Sequence, residues 1–467
     1  MAGSRVGRSS LPFIAALLAS FSCTPAPVPA VTPAPAPPAP QSAAPVAAPA
    51  PAPADDAERL DAIRVRLDRE AERVIAFWSK HGPDREHGGF HGTLDRKGAP
   101  VPPTEKGVIQ TSRHLWTFSM LAARRPNTPD ARALADSAYR FLVERFRDPK
   151  DGEFYFTVSR QGKPVNPKKQ LYAESFAIYA LSEYAAAFAS AEAREHALRC
   201  FRSIDARAHD AVHGGYDQRK DPGWMSPGSE KETNTHIHLL EAFTSLFRLT
   251  RDPLVRTRLE ELARVTATKL LQPAGYVHKE FKLDFAPHGE RVVSYGHDIE
   301  TAWLLLDALD ALGLSEDAAL AGAAVTMGAN SARAGFDATN GGFFEEGVAG
   351  GAPNELEKIW WVQAEALPGL FRLYQRTGDA SYLEQLERTL SFIERYQSDA
   401  EFGGWYWGVT PDGKLGPRGD KKGEEWKASY HDTRALVFTS DWIAEHLSAA
   451  RTSDTSSRSP GPDRAKP

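Results

Sequence analysis

Apolar residues recur at helical spacing through most of the chain, with runs from Leu60 to Trp78, Ala131 to Phe146, Ser175 to Phe188, Ile237 to Leu249 and Ala364 to Tyr374. A further helix is predicted to open at Ser294-Tyr-Gly-His-Asp-Ile-Glu-Thr-Ala-Trp303 and to run on through Leu304 to Leu309. Strand-like material is scarce and takes one form, a glycine followed by an aromatic. It occurs at Gly89, Gly152, Gly215, Gly275, Gly342 and Gly404, in steps of 63, 63, 60, 67 and 62 residues. Such a step is an internal repeat. A unit of about sixty residues accommodates two ordinary helices and a short hairpin or loop. The expected fold is therefore all-α: six helical hairpins closed in a ring as an (α/α)6 barrel, inner helices around the axis and outer helices covering them. The repeats carry different polar residues, as the walls of one pocket would, which favours a closed barrel over an open solenoid. The glycine-aromatic loops are expected at one end, together with the site.

The helical pattern is confined to residues 55–447, the expected barrel domain. Before it, Arg5 and Arg8 precede an apolar run, Leu11 to Ala19, that ends at Ser20-Phe-Ser-Cys23. This is the layout of an export signal, and the run is too short to span a bilayer. Ser22 before Cys23 resembles a bacterial lipoprotein cleavage box, although Ser20 stands where leucine is usual. Residues 1–23 are read as a signal peptide and Cys23 as a candidate lipid anchor. The protein is thus expected in the periplasm, or on the outer membrane as a lipoprotein. Residues 24–54 are rich in Pro and Ala, the composition of an extended polyproline II linker. Residues 448–467 are read as a disordered tail, polar from Thr452 onward.

Composition changes this picture little. Of 467 residues 42% are hydrophobic, enough for a large core, and the net charge of −5 is spread with both signs interspersed, which argues against a nucleic-acid surface. The two cysteines, Cys23 and Cys200, give no disulfide framework. A monomer is expected.

Candidate chemistry falls at the openings of helical segments. His297 and Glu300 are three apart and share a helix face, where a carboxylate can orient an imidazole and raise its basicity. Trp303 follows as a candidate aromatic wall. Arg113 heads the segment Leu115 to Phe118, Tyr172 and Glu174 open another, and Asn234 and His238 lie four apart, as do Trp361 and Glu365; Trp426 and His431 come near the C-terminal end. His236 and His238 are two apart and point to different sides of a helix. No His-Glu-x-x-His or cysteine cluster occurs, so no metal is expected, and the lack of a glycine-rich phosphate loop argues against a nucleotide cofactor. Two histidines with ordinary pKa of about 6.5 fit proton abstraction beside a carbonyl, whereas Glu300 and Glu365 would fit glycosidic hydrolysis. A sugar-binding protein would need the aromatics but not His297 and His431.

Ser294-Tyr-Gly-His-Asp-Ile-Glu300 with Ala302-Trp303, Asn234-Thr-His-Ile-His-Leu-Leu-Glu241, Trp360-Trp-Val-Gln-Ala-Glu365 and Trp426 to His431 together resemble the N-acylglucosamine 2-epimerase family, most closely its cellobiose 2-epimerase branch. The resemblance runs from about Arg59 to Ala444. It implies a cofactor-free (α/α)6 barrel that inverts C2 at the reducing end of a β-1,4-linked disaccharide, through ring opening and a cis-enediolate. His297 and His431 match the acid/base pair, with Glu300 supporting His297. His238 and Arg113 match residues that bind the sugar oxygens and stabilise the enediolate. Tyr172, Asn234 and Glu365 match polar pocket residues, and Trp303, Trp361 and Trp426 the walls on which sugars stack. Ala173-Glu174 departs from the family's usual Gly-Gln, and Val362 from a common proline. The alternatives are an aldose-ketose isomerase or monosaccharide 2-epimerase of the same family, then an (α/α)6 glycoside hydrolase or a sugar-binding protein.

Overall fold

A computed structural model describes residues 54–218, 228–417, 419 and 421–457. The expected signal peptide, Cys23 and all of the linker but its last residue lie outside the described residues, as does the tail beyond Ser457.

Twelve α-helices follow one another among the described residues: α1 (Ala54–His81), α2 (Val108–Arg124), α3 (Ala131–Phe141), α4 (Leu171–Phe188), α5 (Ala191–Ala208), α6 (Thr233–Thr250), α7 (Pro253–Val265), α8 (Tyr295–Leu312), α9 (Ala318–Ala334), α10 (Trp360–Thr377), α11 (Ser381–Phe392) and α12 (His431–Ser457). The even-numbered helices pack side by side in succession around an axis, and each is covered by the helix that follows it. Helix α1 covers α12, and Trp116 of α2 meets Phe438 of α12 at 5.7 Å, so the ring closes as an (α/α)6 barrel. Sequence explains the layering. Inner helix α4 buries almost every side chain from Leu171 to Ala185, while outer helix α3 buries one stripe, Leu134, Ala135, Ala138 and Phe141. Helix α12 continues to Ser457, past the expected end of the domain at 447. That correction has a simple cause: extending an established helix costs little per residue, and Ala449 to Ser457 contains no glycine or proline to stop it.

The six repeat glycines sit in the turns that lead from each outer helix to the next inner one. All six have left-handed φ, between 63° and 87°. That conformation strains any other residue, and a Cβ on Gly342 would also come within 2.6 Å of Gln363 Oε1. Every turn is closed by the same backbone bridge: Pro83 to Phe90, Arg147 to Phe154, His209 to Tyr216, Leu271 to Val277, Phe336 to Phe343 and Ser398 to Trp405.

Two buried devices lock the turns to the barrel. In the first, a lysine before the inner helix pairs with an aspartate that opens the turn: Lys106 with Asp84 (3.1 Å), Lys169 with Asp148 (3.4 Å), Lys231 with Asp210 (2.7 Å), Lys358 with Asp337 (2.8 Å) and Lys422 with Asp399 (3.0 Å). The fourth turn opens on Gln272 instead. In the second, a polar side chain in the first turn of the inner helix accepts a backbone N–H of the loop. Glu174 takes Phe154 (3.0 Å), His236 takes Tyr216 (3.1 Å), Asp298 takes Val277 (2.9 Å) and Gln363 takes Phe343 (2.7 Å). Buried backbone donors must be satisfied somewhere, and these side chains do it. Short antiparallel sheets rim the same end; in one, Val292–Ser294 pairs with Glu346–Val348 across the α8–α9 repeat.

Candidate active site

The amino-terminal turns of the inner helices converge at the loop end. Helix α2 contributes Arg113, α4 Tyr172, α6 Asn234 and His238, α8 His297, α10 Trp361 and Glu365, and α12 His431. Arg113 Nη2 donates to the Tyr172 hydroxyl (2.9 Å), and its Nη1 donates to the Trp426 carbonyl. The Tyr172 ring lies 5.1 Å from His238 and 6.1 Å from Trp426. The Trp361 ring lies 4.7 Å from His297 and 6.0 Å from His431, so both imidazoles border one indole. Gly296 makes room for it, since a Cβ there would come within 2.6 Å of the Trp361 ring. Two buried polar atoms, Arg113 Nε and Asn234 Oδ1, have no hydrogen-bond partner among the described residues.

Beneath these side chains lies a buried ionic layer. Arg434 Nη2 donates to Glu365 (2.7 Å) and Glu300 (3.2 Å), and its Nη1 bonds Glu241. Each catalytic candidate is oriented through Nδ1: His431 to Glu365 Oε1 (2.6 Å), His238 to Glu241 Oε2 (3.0 Å) and His297 to Ser294 Oγ (2.9 Å). A neutral imidazole that donates from Nδ1 carries its lone pair on Nε2, which is then the atom that accepts a proton.

Burial sets the charge states. It pushes the pKa of both His297 and His431 down to about 3; for His431 the Glu365 carboxylate works against this. His238 is lowered as well, mainly by burial, with Glu241 opposing. Burial also raises both carboxyls of the Glu300 and Glu365 pair, but Arg434 and His431 hold Glu365 low, while the charge of Glu365 pushes Glu300 further up. Three carboxyls around one guanidinium leave Glu300 holding its proton. Glu300, Glu365 and His431 bring potential ligand atoms within 4.8 Å of one another. The Arg434 guanidinium already supplies the positive charge of that cluster.

Two expectations need correction. Glu300 does not support His297: Ser294, the N-cap of α8, takes the imidazole, and Arg434 takes the carboxyl. Trp303 is not a sugar-stacking wall. It is 1% exposed, lies 4.7 Å beneath the Arg434 guanidinium and donates its Nε1–H to Glu365 Oε2 (2.9 Å). The other expected residues do come together, with Trp426 at the mouth, 40% exposed. Sequence reasoning missed Arg434, Glu241 and Ser294. The signal was there for one of them, because His238 and Glu241 have the same spacing that was read as a pair at His297 and Glu300.

Residues 88–435 match the sequence model of N-acylglucosamine 2-epimerase (GlcNAc 2-epimerase). The chain belongs to that family. It is 32% identical over 376 residues to a cellobiose 2-epimerase of Bacteroides fragilis, covering 78% of this chain and 95% of the relative. It is 27% identical to the N-acylglucosamine 2-epimerase of Bos taurus, covering 88% and 98%. The solved structure of a cellobiose 2-epimerase from Spirochaeta thermophila superimposes with a TM-score of 0.78 at 34% identity, covering 85% of this chain and all of that one.

Proposed function

We propose that this protein is a carbohydrate 2-epimerase of cellobiose 2-epimerase type, which interconverts glucose and mannose at the reducing end of β-1,4-linked disaccharides. One observation carries the reading: two imidazoles, His297 and His431, border a single indole beside a guanidinium, Arg113, that has no carboxylate partner among the described residues.

The sugar ring opens first, and the C1 aldehyde acidifies the C2 proton. One imidazole takes that proton through Nε2, and the C–H electrons move into C1–C2 as the carbonyl becomes an enediolate oxygen. Arg113 stabilises the new negative charge; with no carboxylate to answer, its charge is available for that task. The second imidazole then protonates C2 from the opposite face. The two groups differ in support. His431 is held by the Glu365 carboxylate, which favours the imidazolium, whereas His297 is held by a neutral hydroxyl. His431 is therefore the better proton carrier: the imidazole that acts as acid enters as imidazolium and the one that acts as base leaves as imidazolium, so the pair holds one proton before and after each turnover.

Incubation with cellobiose, lactose, mannobiose and mannose in deuterated water, with products read by NMR, tests the reading. Epimers of the disaccharides carrying deuterium at C2 are expected. Ketose products would instead mean that the proton returns to C1, the isomerase reading, and free glucose from cellobiose would mean hydrolysis. We propose export as well, on the basis of Arg5, Arg8, the Leu11 to Ala19 run and Cys23. Membrane fractionation of wild type against Cys23→Ser tests the anchor: the variant is expected in the soluble fraction, and an unchanged distribution would rule lipidation out.

A further inference from the structure

At the other end of the barrel, among the carboxy-terminal halves of the inner helices, lies a second cavity of about 350 Å³. That is within the size range of small-molecule sites. Its aromatic lining consists of Tyr179, Trp303 and Phe438, and its polar lining includes Glu183, Glu241 and Arg248. From the residues and the cavity together we infer a second ligand site, for a small neutral polyhydroxylated molecule.

The charges lining the cavity are answered from within the protein. Arg248 pairs with Asp307 (2.8 Å), Arg124 with Asp441 (3.1 Å) and Glu241 with Arg434. Burial favours the protonated form of Glu183, the one lining acid without an ion pair among the described residues. An ion would therefore find no unpaired opposite charge. What the walls offer instead is hydrogen bonding beside flat apolar faces, the combination that suits a polyol or sugar. Tyr179, which lines the cavity and is 7% exposed, makes no side-chain hydrogen bond to another described residue, so its hydroxyl is free to bond an occupant.

The floor of this cavity is the underside of the active site. Glu241 lines the cavity and accepts from His238; Trp303 lines it and donates to Glu365, which holds His431. An occupant thus lies against Glu241, which orients His238, and against Trp303, which holds the carboxylate that orients His431, and its binding is coupled to the chemistry.

Fluorine NMR of protein labelled with 5-fluorotryptophan tests this, with Trp303, Trp361 and Trp426 assigned by single replacements with phenylalanine. The probe is D-mannitol, which has no carbonyl and cannot turn over. Trp303 should shift saturably with a midpoint of its own. Ala186→Tyr at the exposed rim, or Ser245→Tyr in the wall, should abolish that shift and leave any response of Trp361 and Trp426 intact. Ala186 is exposed, so its variant should fold. A Trp303 resonance that stays fixed up to the solubility limit of mannitol, or that moves identically in both variants, overturns the proposal. Neither result bears on the epimerase reading.

Discussion

Glu365 and His431 come from different repeats, and Nδ1 of the histidine lies 2.6 Å from Oε1 of the glutamate. The same carboxylate receives Arg434 on that oxygen and Trp303 on the other. Its position is fixed from three sides, and it fixes the imidazole in turn. Glu365→Gln keeps the shape but removes the charge that favours a protonated His431. The pKa of His431 should then fall further, and the protonated fraction with it. We expect kcat to drop by about 10² or more, with KM changed far less. Steady-state kinetics with the pH profile of kcat checks this; an unchanged profile would mean that His431 does not carry the proton.

Trp303 donates to that carboxylate and is buried beneath the active-site side chains. Trp303→Phe should leave KM within about twofold of wild type and lower kcat, since it removes a hydrogen bond to Glu365 worth about 1 kcal/mol or somewhat more. Trp426→Ala, at the exposed mouth, should raise KM instead. Measuring both variants side by side separates support from stacking.

How much of this could be read from sequence depended on how local each feature is. The barrel was legible because left-handed turns admit little but glycine, so Gly89, Gly152, Gly215, Gly275, Gly342 and Gly404 mark the repeat in the chain itself. The lysine-aspartate pairs left a comparable trace, an aspartate before the glycine and a lysine after it, and it went unread. Apart from Glu241, three residues after His238, the partners of the candidate site residues were not legible. Spacing puts His297 and Glu300 on one face but cannot say that Arg434, 134 residues away, draws off the carboxyl. Trp303 looked like a platform because an aromatic near a site has the same sequence signature whether it faces substrate or core.

Lys358 and Asp337 form one of the buried locks, reinforced by the Lys358 ammonium 4.0 Å from the Phe392 ring. Lys358→Met leaves Asp337 buried without its cation and should cost about 3 to 5 kcal/mol. Lys414→Met, which breaks the exposed pair with Asp412, should cost far less, because solvent screens an exposed pair. Denaturant unfolding of the two variants gives the comparison. Equal losses would mean that the buried pair is not a lock.

Glu174 accepts the Phe154 N–H and the Cys200 thiol in full burial. Burial, with Glu153 nearby, raises its pKa from 4.5 to about 8. Between those values the unfolded chain has released a proton that the folded protein keeps, so this group's contribution to stability falls as pH rises and levels off above about 8. Glu174→Gln removes that dependence. The variant's stability relative to wild type should therefore increase from pH 5 to pH 8, by on the order of a few kcal/mol. Unfolding at those two pH values checks it; a constant difference would mean that Glu174 is ionised when folded.

The central claim is that His297 and His431 serve opposite faces of one carbon. The most direct measurement follows cellobiose in deuterated water, by NMR, with wild type, His297→Asn and His431→Asn, after circular dichroism has shown all three to be folded. Wild type should give the epimer with deuterium at C2. Each variant should lose about 10² to 10⁴-fold in epimerisation, the usual contribution of a general acid or base. One of them, keeping the imidazole on the substrate proton's face, should still wash deuterium into C2 of unepimerised cellobiose, while the other should not. If either folded variant epimerises at near the wild-type rate, the two-imidazole mechanism is contradicted.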